Sequence, residues 1–155
     1  MNGESNARET AKLAANYFEN GDNCTQAVIK AVRDVTGADL PADAERFGAG
    51  FTGGIAHSGA VCGALVGGVM VLGWASGDGS TCGNDHAAAK LAGRLKNEFD
   101  RACSGPNCET VREGLRFRHR RARELCRRAT ALAAGMTVDL LESGDIADDC
   151  TEYLA

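Results

Sequence analysis

Phe47-Gly48-Ala49-Gly50-Phe51-Thr52-Gly53-Gly54 opens a stretch that continues through His57, Ser58 and Gly59 into Ala60-Val61-Cys62-Gly63-Ala64-Leu65-Val66-Gly67-Gly68-Val69-Met70-Val71-Leu72-Gly73-Trp74. No formal charge lies between Arg46 and Asp78. A glycine-rich loop here feeds an apolar segment with a cysteine near its start, and that segment reads as a buried helix. Each glycine in a helix interior costs about 1 kcal/mol relative to alanine. Gly63, Gly67 and Gly68 are therefore expected where packing compensates, with another backbone close by. The apolar run from Ala60 to Ala75 is shorter than the roughly 18–20 residues of a membrane span and rich in glycine, so it belongs in a core, and membrane insertion is not expected.

Outward from this segment the chain is helical in pattern. Runs of alternating β-branched residues are nearly absent, and Ala, Leu, Glu and Arg are frequent. The expected fold is all-α: a compact single-domain helical bundle over residues 1–155, built around the glycine-rich helix. A first helix is expected from Ala7 to Asn20, with Asn6 and Glu9 as a capping box and Ala11, Leu13, Ala14, Tyr17 and Phe18 on one face. A second starts at Cys24 behind Asn23, with Gln26 completing a capping box, and closes at Gly37. A short helix is expected from Pro41 to Phe47. After the buried helix, residues 76–85 read as a polar loop. A helix from His86 to Ala102 follows, with Ala88, Leu91, Leu95 and Phe99 inward. Residues 103–108 form a turn. A short helix opens at Cys108 behind Asn107 and passes Val111 and Leu115. A basic helix covers Arg118 to Ala134. The acidic tail from Val138 to Tyr153 adds one more helix.

Composition limits the function classes. The net charge of −4 over 155 residues suits a soluble protein and disfavours a general nucleic-acid binder. The first twenty residues carry Glu4, Arg8, Glu9, Lys12 and Glu19 without a continuous apolar run, which is not the pattern of a secretory signal. The cytoplasm is the expected location. Seven cysteines are many for such a chain, and in a reducing compartment they read as ligands or reactive thiols rather than structural disulfides.

Cys24, Cys62 and Cys108 fall at or near expected helix starts. Unpaired N–H groups and the helix dipole there favour a thiolate, which is both the nucleophilic and the metal-ligating form. Cys126 has Arg123 and Arg127 nearby on the basic helix. These four are the candidates for one shared site, in catalytic, cofactor-binding and metal-binding roles alike. The spacing contains no Cys-x-x-Cys, so neither a thioredoxin-type motif nor a zinc ribbon is indicated. Four cysteinates from separate segments suit an iron–sulfur cluster or one tetrahedral metal. Two of them suffice for a thiol–disulfide switch. The residues leave both open.

With Asn23-Cys24-Thr25-Gln26-Ala27-Val28, Cys62-Gly63-Ala64-Leu65-Val66-Gly67, Cys108 and Cys126 in place, the chain resembles a family of bacterial and archaeal redox-active proteins named for the pattern C…CGAxxG…C…C. The resemblance spans about residues 10–140. It implies a helical fold and a redox role beside oxidoreductase or transporter partners, and so a component of an oxidoreductase system. Related sequence in split-Soret cytochromes implies iron–sulfur or electron-transfer chemistry. Cys82, Cys103 and Cys150 lie outside the pattern and receive no role.

Other signals carry less. Gly48-Ala49-Gly50-Phe51-Thr52-Gly53 fits G-x-G-x-x-G, but the segment before it reads as helix rather than the strand a dinucleotide site requires. His57 is a loop histidine within five residues of Cys62, available as a base or ligand. The segment Arg112–Arg128 holds eight arginines against Glu113 and Glu124, with Arg112, Arg116, Arg120, Arg123 and Arg127 forming a stripe at helical spacing. The bland reading is a solvated face. The alternative is a binding protein whose arginine helix docks an acidic redox partner or an anionic ligand. Gly59, Gly63 and Gly67, at small-x-x-x-small spacing, suit close helix packing and a homodimer. The partner expected is thus a redox protein or a second copy of the chain, not nucleic acid.

Overall fold

The computed structural model describes residues 3–79 and 84–143, and the fold is all-α. Among the described residues six α-helices run in order: α1 (Gly3–Glu19), α2 (Cys24–Thr36), α3 (Gly63–Ser76), α4 (Asn84–Cys103), α5 (Cys108–Val111) and α6 (Arg120–Glu142). A 3₁₀ segment, Ala44–Phe51, lies between α2 and α3. The described residues contain no strand, only an isolated antiparallel bridge between Val61 and Asn107. None of their helices is long and apolar enough to cross a membrane.

α3 is the centre. It packs on α2, α4 and α6, and α1 lies along α6 on the outside. Its glycines act as close-approach points. A Cβ on Gly67 would stand 2.9 Å from the Thr25 carbonyl oxygen and 3.0 Å from Val28 Cβ. A Cβ on Gly68 would stand 2.5 Å from Thr137 Oγ1 and 2.6 Å from Leu95 Cδ2. Gly63 and Gly67 thus face α2 of the same chain, and Gly68 faces α4 and α6. The helix is largely buried through Leu72, but Gly73–Ala75 emerge, with Trp74 58% exposed and its indole N–H donating to the Asp39 carbonyl.

α2 begins as its sequence dictates. Asn23 accepts from the Gln26 N–H at 2.9 Å, and Gln26 Oε1 accepts from the Asn23 N–H at 3.1 Å, a complete capping box. Gly37 closes the helix in the left-handed conformation. Ala88, Leu91, Leu95 and Phe99 of α4 are buried as expected.

Several boundaries differ from expectation. α1 starts at Gly3, so Asn6 is not its cap; its side chain instead donates to Glu142 at the far end of α6. The segment after Pro41 is 3₁₀ rather than α and runs on into the glycine loop to Phe51. α5 ends at Val111 because Glu113 and Gly114 take positive φ of 53° and 70°, which turns the chain before Leu115. The basic helix, expected over Arg118–Ala134, is α6 and continues through Gly135, where a Cβ would stand 3.2 Å from the Ala7 carbonyl of α1. Val138–Glu142 therefore belong to α6. The rest of the acidic tail lies outside the described residues, as do Cys82 and Cys150.

Candidate functional site: a succession of four thiols

The start of α2, the start of α3, α5 and the second turn of α6 lie near one another, and each carries one cysteine. Backbone pairing sets the first register. The Cys62 N–H donates to the Pro106 carbonyl at 2.8 Å, and the Cys108 N–H donates to the Ala60 carbonyl at 2.6 Å, on either side of the Val61–Asn107 bridge. Thr25 Oγ1 donates to the Gly63 carbonyl at 2.8 Å, which fixes the start of α2 against the start of α3. A Cβ on Gly63 would lie 3.5 Å from Cys24 Cβ, so the motif glycine lets these two cysteine-bearing segments touch. Cys126 is buried with Phe18 and Ala27, and Cys24 packs against that cluster.

The sulfurs interact in succession. Cys24 is coupled most strongly to Cys126, and Cys62 is coupled to Cys24 and, more weakly, to Cys108. Cys62, Cys108 and Cys126 are buried, whereas Cys24 keeps partial exposure. It lines a cavity of about 410 Å³ together with Phe18, Asn23, Phe117 and Arg123.

The electrostatics correct one expectation. Helix starts favour thiolates, yet Cys24 is held well above the ordinary thiol range, first by its hydrogen bond to Cys126 and then by burial. Thr130 and the Cys24 backbone oppose this and do not prevail. Cys62 is also pushed up strongly, chiefly by burial and then by the charge of Cys24. The N–H groups of Ala64 and Leu65 do stabilise its thiolate, as the helix-start argument requires. Loss of water outweighs them, because an anion in an apolar surround loses more solvation than two amides return. Both thiols keep their protons at neutral pH.

The remaining candidates separate. Cys103, at the end of α4, is near Arg128 and Asp100 and is raised by burial; none of the other thiols figures among the groups acting on it. Cys108 is the thiol that faces Cys62. His57 is exposed, with its ring nitrogen Nδ1 close over Gly53. The arginine stripe is broken, since Arg112 and Arg116 precede α6 and lie off its axis. Arg112 has a different role: its Nε donates to Cys108 Sγ at 3.4 Å, with Nη1 bonded to the Leu115 carbonyl. The i, i+4 spacing from Cys108 carried that signal. Asn23, read as a cap alone, also joins α2 to the glycine loop, donating to the Gly48 carbonyl and to Thr52 Oγ1, both at 3.0 Å.

The loop itself is unusual. Gly53, Gly54, Ile55, Ala56 and His57 all have φ between 49° and 74°, so the backbone makes a left-handed turn that includes three residues with side chains. Its floor presses on the site: a Cβ on Gly54 would stand 2.6 Å from Cys108 Cβ.

Fold and site together define a small all-helical cysteine protein with four thiols in succession near the start of a glycine-rich central helix. The family described as "Putative redox-active protein (C_GCAxxG_C_C)" matches residues 22–140, and the chain belongs to that family. No curated protein and no solved structure matches it. Membership supports a redox role in general and identifies no cofactor.

Proposed function

We propose that the protein is a thiol–disulfide redox protein in which Cys24 and Cys126 cycle between dithiol and disulfide. The observation that carries this reading is the packing of Cys24 against the cluster that holds Cys126, with Cys24 lining a cavity and Cys126 buried. In the oxidising direction Cys24 sulfur attacks a partner disulfide, the partner's S–S bond breaks, and its leaving sulfur takes a proton. Cys126 sulfur then attacks Cys24, closing the protein disulfide and releasing the second partner thiol. Two electrons and two protons pass to the partner, and the reverse sequence returns them. A reducing compartment such as the cytoplasm would keep the pair open between turnovers.

An iron–sulfur cluster or single metal would draw on Cys24, Cys62, Cys108 and Cys126 together. Such a centre needs its thiolates gathered around one point. Among the described residues no three His, Cys, Asp or Glu side chains are so gathered. This arrangement fits a two-thiol couple better than a four-ligand centre.

Anaerobic purification, a visible spectrum, iron and sulfide analysis and a thiol titration on one sample test the reading. The expected result is a colourless protein that loses two thiols reversibly on mild oxidation, with a peptide linking Cys24 to Cys126 found by mass spectrometry. Absorbance above about 400 nm with stoichiometric iron and sulfide would replace the disulfide reading with a cluster.

A further inference from the structure

The cavity beside Cys24 does not end at the thiol. It shares Phe18 and Arg123 with a second groove of about 490 Å³ that carries Arg118, Arg120, Arg127, Glu19 and Glu124. The acids there are already engaged. Arg127 pairs with Glu124 at 2.9 Å and with Glu19 at 3.4 Å, and Asp22 at the cavity edge is held by Lys30 at 2.7 Å. Arg120 acts through space on Glu124. Arg118 and Arg123 pair with no carboxylate among the described residues, and both are exposed. The path to Cys24 thus carries surplus positive charge in a chain that is acidic as a whole.

Guanidinium groups present planar donor pairs that match carboxylates, so this surplus selects a carboxylate-bearing ligand. The cavity's size is that of a small-molecule site, for which the range is about 300–1,000 Å³. Cys24 is partly buried and reached through that concavity, flanked by Phe18 and Phe117, which a flexible small molecule enters more readily than a folded protein surface. We propose that the oxidant and product of the Cys24–Cys126 couple are a low-molecular-weight disulfide bearing carboxylates and its thiol, docked on Arg118 and Arg123 with a sulfur over Cys24. This rests on the dithiol reading above. The bound disulfide takes two electrons and two protons and leaves as two thiols, while the protein gains one disulfide.

The test compares oxidation of the fully reduced chain by three probes: oxidised glutathione (anionic), bis(2-hydroxyethyl) disulfide (neutral) and cystamine (cationic). The readout is the ratio of second-order rate constants, anionic over neutral. In Arg118→Gln/Arg123→Gln that ratio should fall about tenfold, and cystamine should gain relative to the neutral probe. Salt at about 0.5 M should lower the ratio in the parent protein and scarcely in the variant, because screening acts only on charges still present. Arg46→Gln, on the 3₁₀ segment, controls for any loss of a surface charge. A ratio unmoved by the double substitution and by salt overturns the proposal. Failure of all three probes to oxidise the chain would instead remove the dithiol reading, and this proposal with it.

Discussion

At the residue scale, proton affinity decides how the thiols behave. Cys24 and Cys62 both hold their protons more tightly in the folded chain than an exposed thiol does. Above the ordinary thiol pKa, the unfolded chain releases those protons while the folded chain keeps them. The folded state then binds more protons than the unfolded state, so stability falls as pH rises. The contribution is complete below about pH 8.5 and is lost above it at up to about 1.4 kcal/mol per pH unit for each thiol. Denaturant unfolding of the reduced protein from about pH 7 to 9.5 should show this decline, and Cys24→Ala should remove about half of the slope. A flat profile would mean that the thiols are not buried as described. The same affinity makes Cys24 a pH-limited nucleophile, whose alkylation should quicken about tenfold per pH unit through the neutral range. The candidates themselves were legible: cysteines at three helix starts and one on a basic helix are readable positions. Their ionisation was not. The helix-start effect is local and visible in sequence, whereas desolvation depends on which side chains close over the sulfur. Arg112 was misplaced for a related reason, because its helical spacing with Arg116 hid the turn at Glu113 and Gly114.

At the scale of elements, α3 shows glycine in two opposite roles. Gly67→Ala should destabilise by about 1–3 kcal/mol, because the new methyl meets the Thr25 carbonyl, which cannot move without moving α2. Gly73→Ala on the same helix meets nothing within 4 Å and should stabilise by up to about 1 kcal/mol through helix propensity. Thermal unfolding of the two variants checks the contrast; equal effects would mean that α2 does not approach α3 as closely as described. The left-handed turn offers the reverse case. A left-handed conformation costs a residue with a side chain about 1–2 kcal/mol, and β-branched Ile55 is poorly suited to it. Ile55→Gly should therefore raise the stability of the chain by about 1 kcal/mol despite the lost side chain, which is 46% exposed. The helices themselves were legible because apolar spacing and caps agree at Asn23, Gln26 and Gly37. The glycines of α3 were legible as contact points, but the partner was not. Sequence allowed a second copy of the chain, and the structure gives Gly63 and Gly67 to α2. The basic helix runs past Ala134 because Gly135 is a crossing point with α1, which only tertiary packing reveals. The left-handed turn was invisible because Ile55, Ala56 and His57 are not residues that announce positive φ.

At the scale of the whole molecule, the proposed couple joins two elements distant in sequence. α2 and α6 pack together, and Cys24 and Cys126 lie at their contact, about 100 residues apart along the chain. A disulfide there closes a loop that contains α3, α4 and α5. Cross-linking over such a span removes much of the unfolded chain's freedom, worth about 4–5 kcal/mol on the chain-entropy estimate and typically about 2–4 kcal/mol in practice. The oxidised protein should accordingly unfold at higher denaturant than the reduced protein, by about 2–4 kcal/mol, with a smaller m-value from the more compact denatured state. Cys126→Ser should abolish the difference between the two forms, because Cys24 then has no partner across the contact. Cys103→Ser should preserve it, since Cys103 sits at the end of α4 beside Arg128. A stabilisation that survived Cys126→Ser and vanished in Cys108→Ser would shift the couple to Cys62 and Cys108, whose segments are already bridged through Val61 and Asn107. That second pair would close a loop of about half the length, and its smaller entropic gain would distinguish it even before the linked peptides were identified.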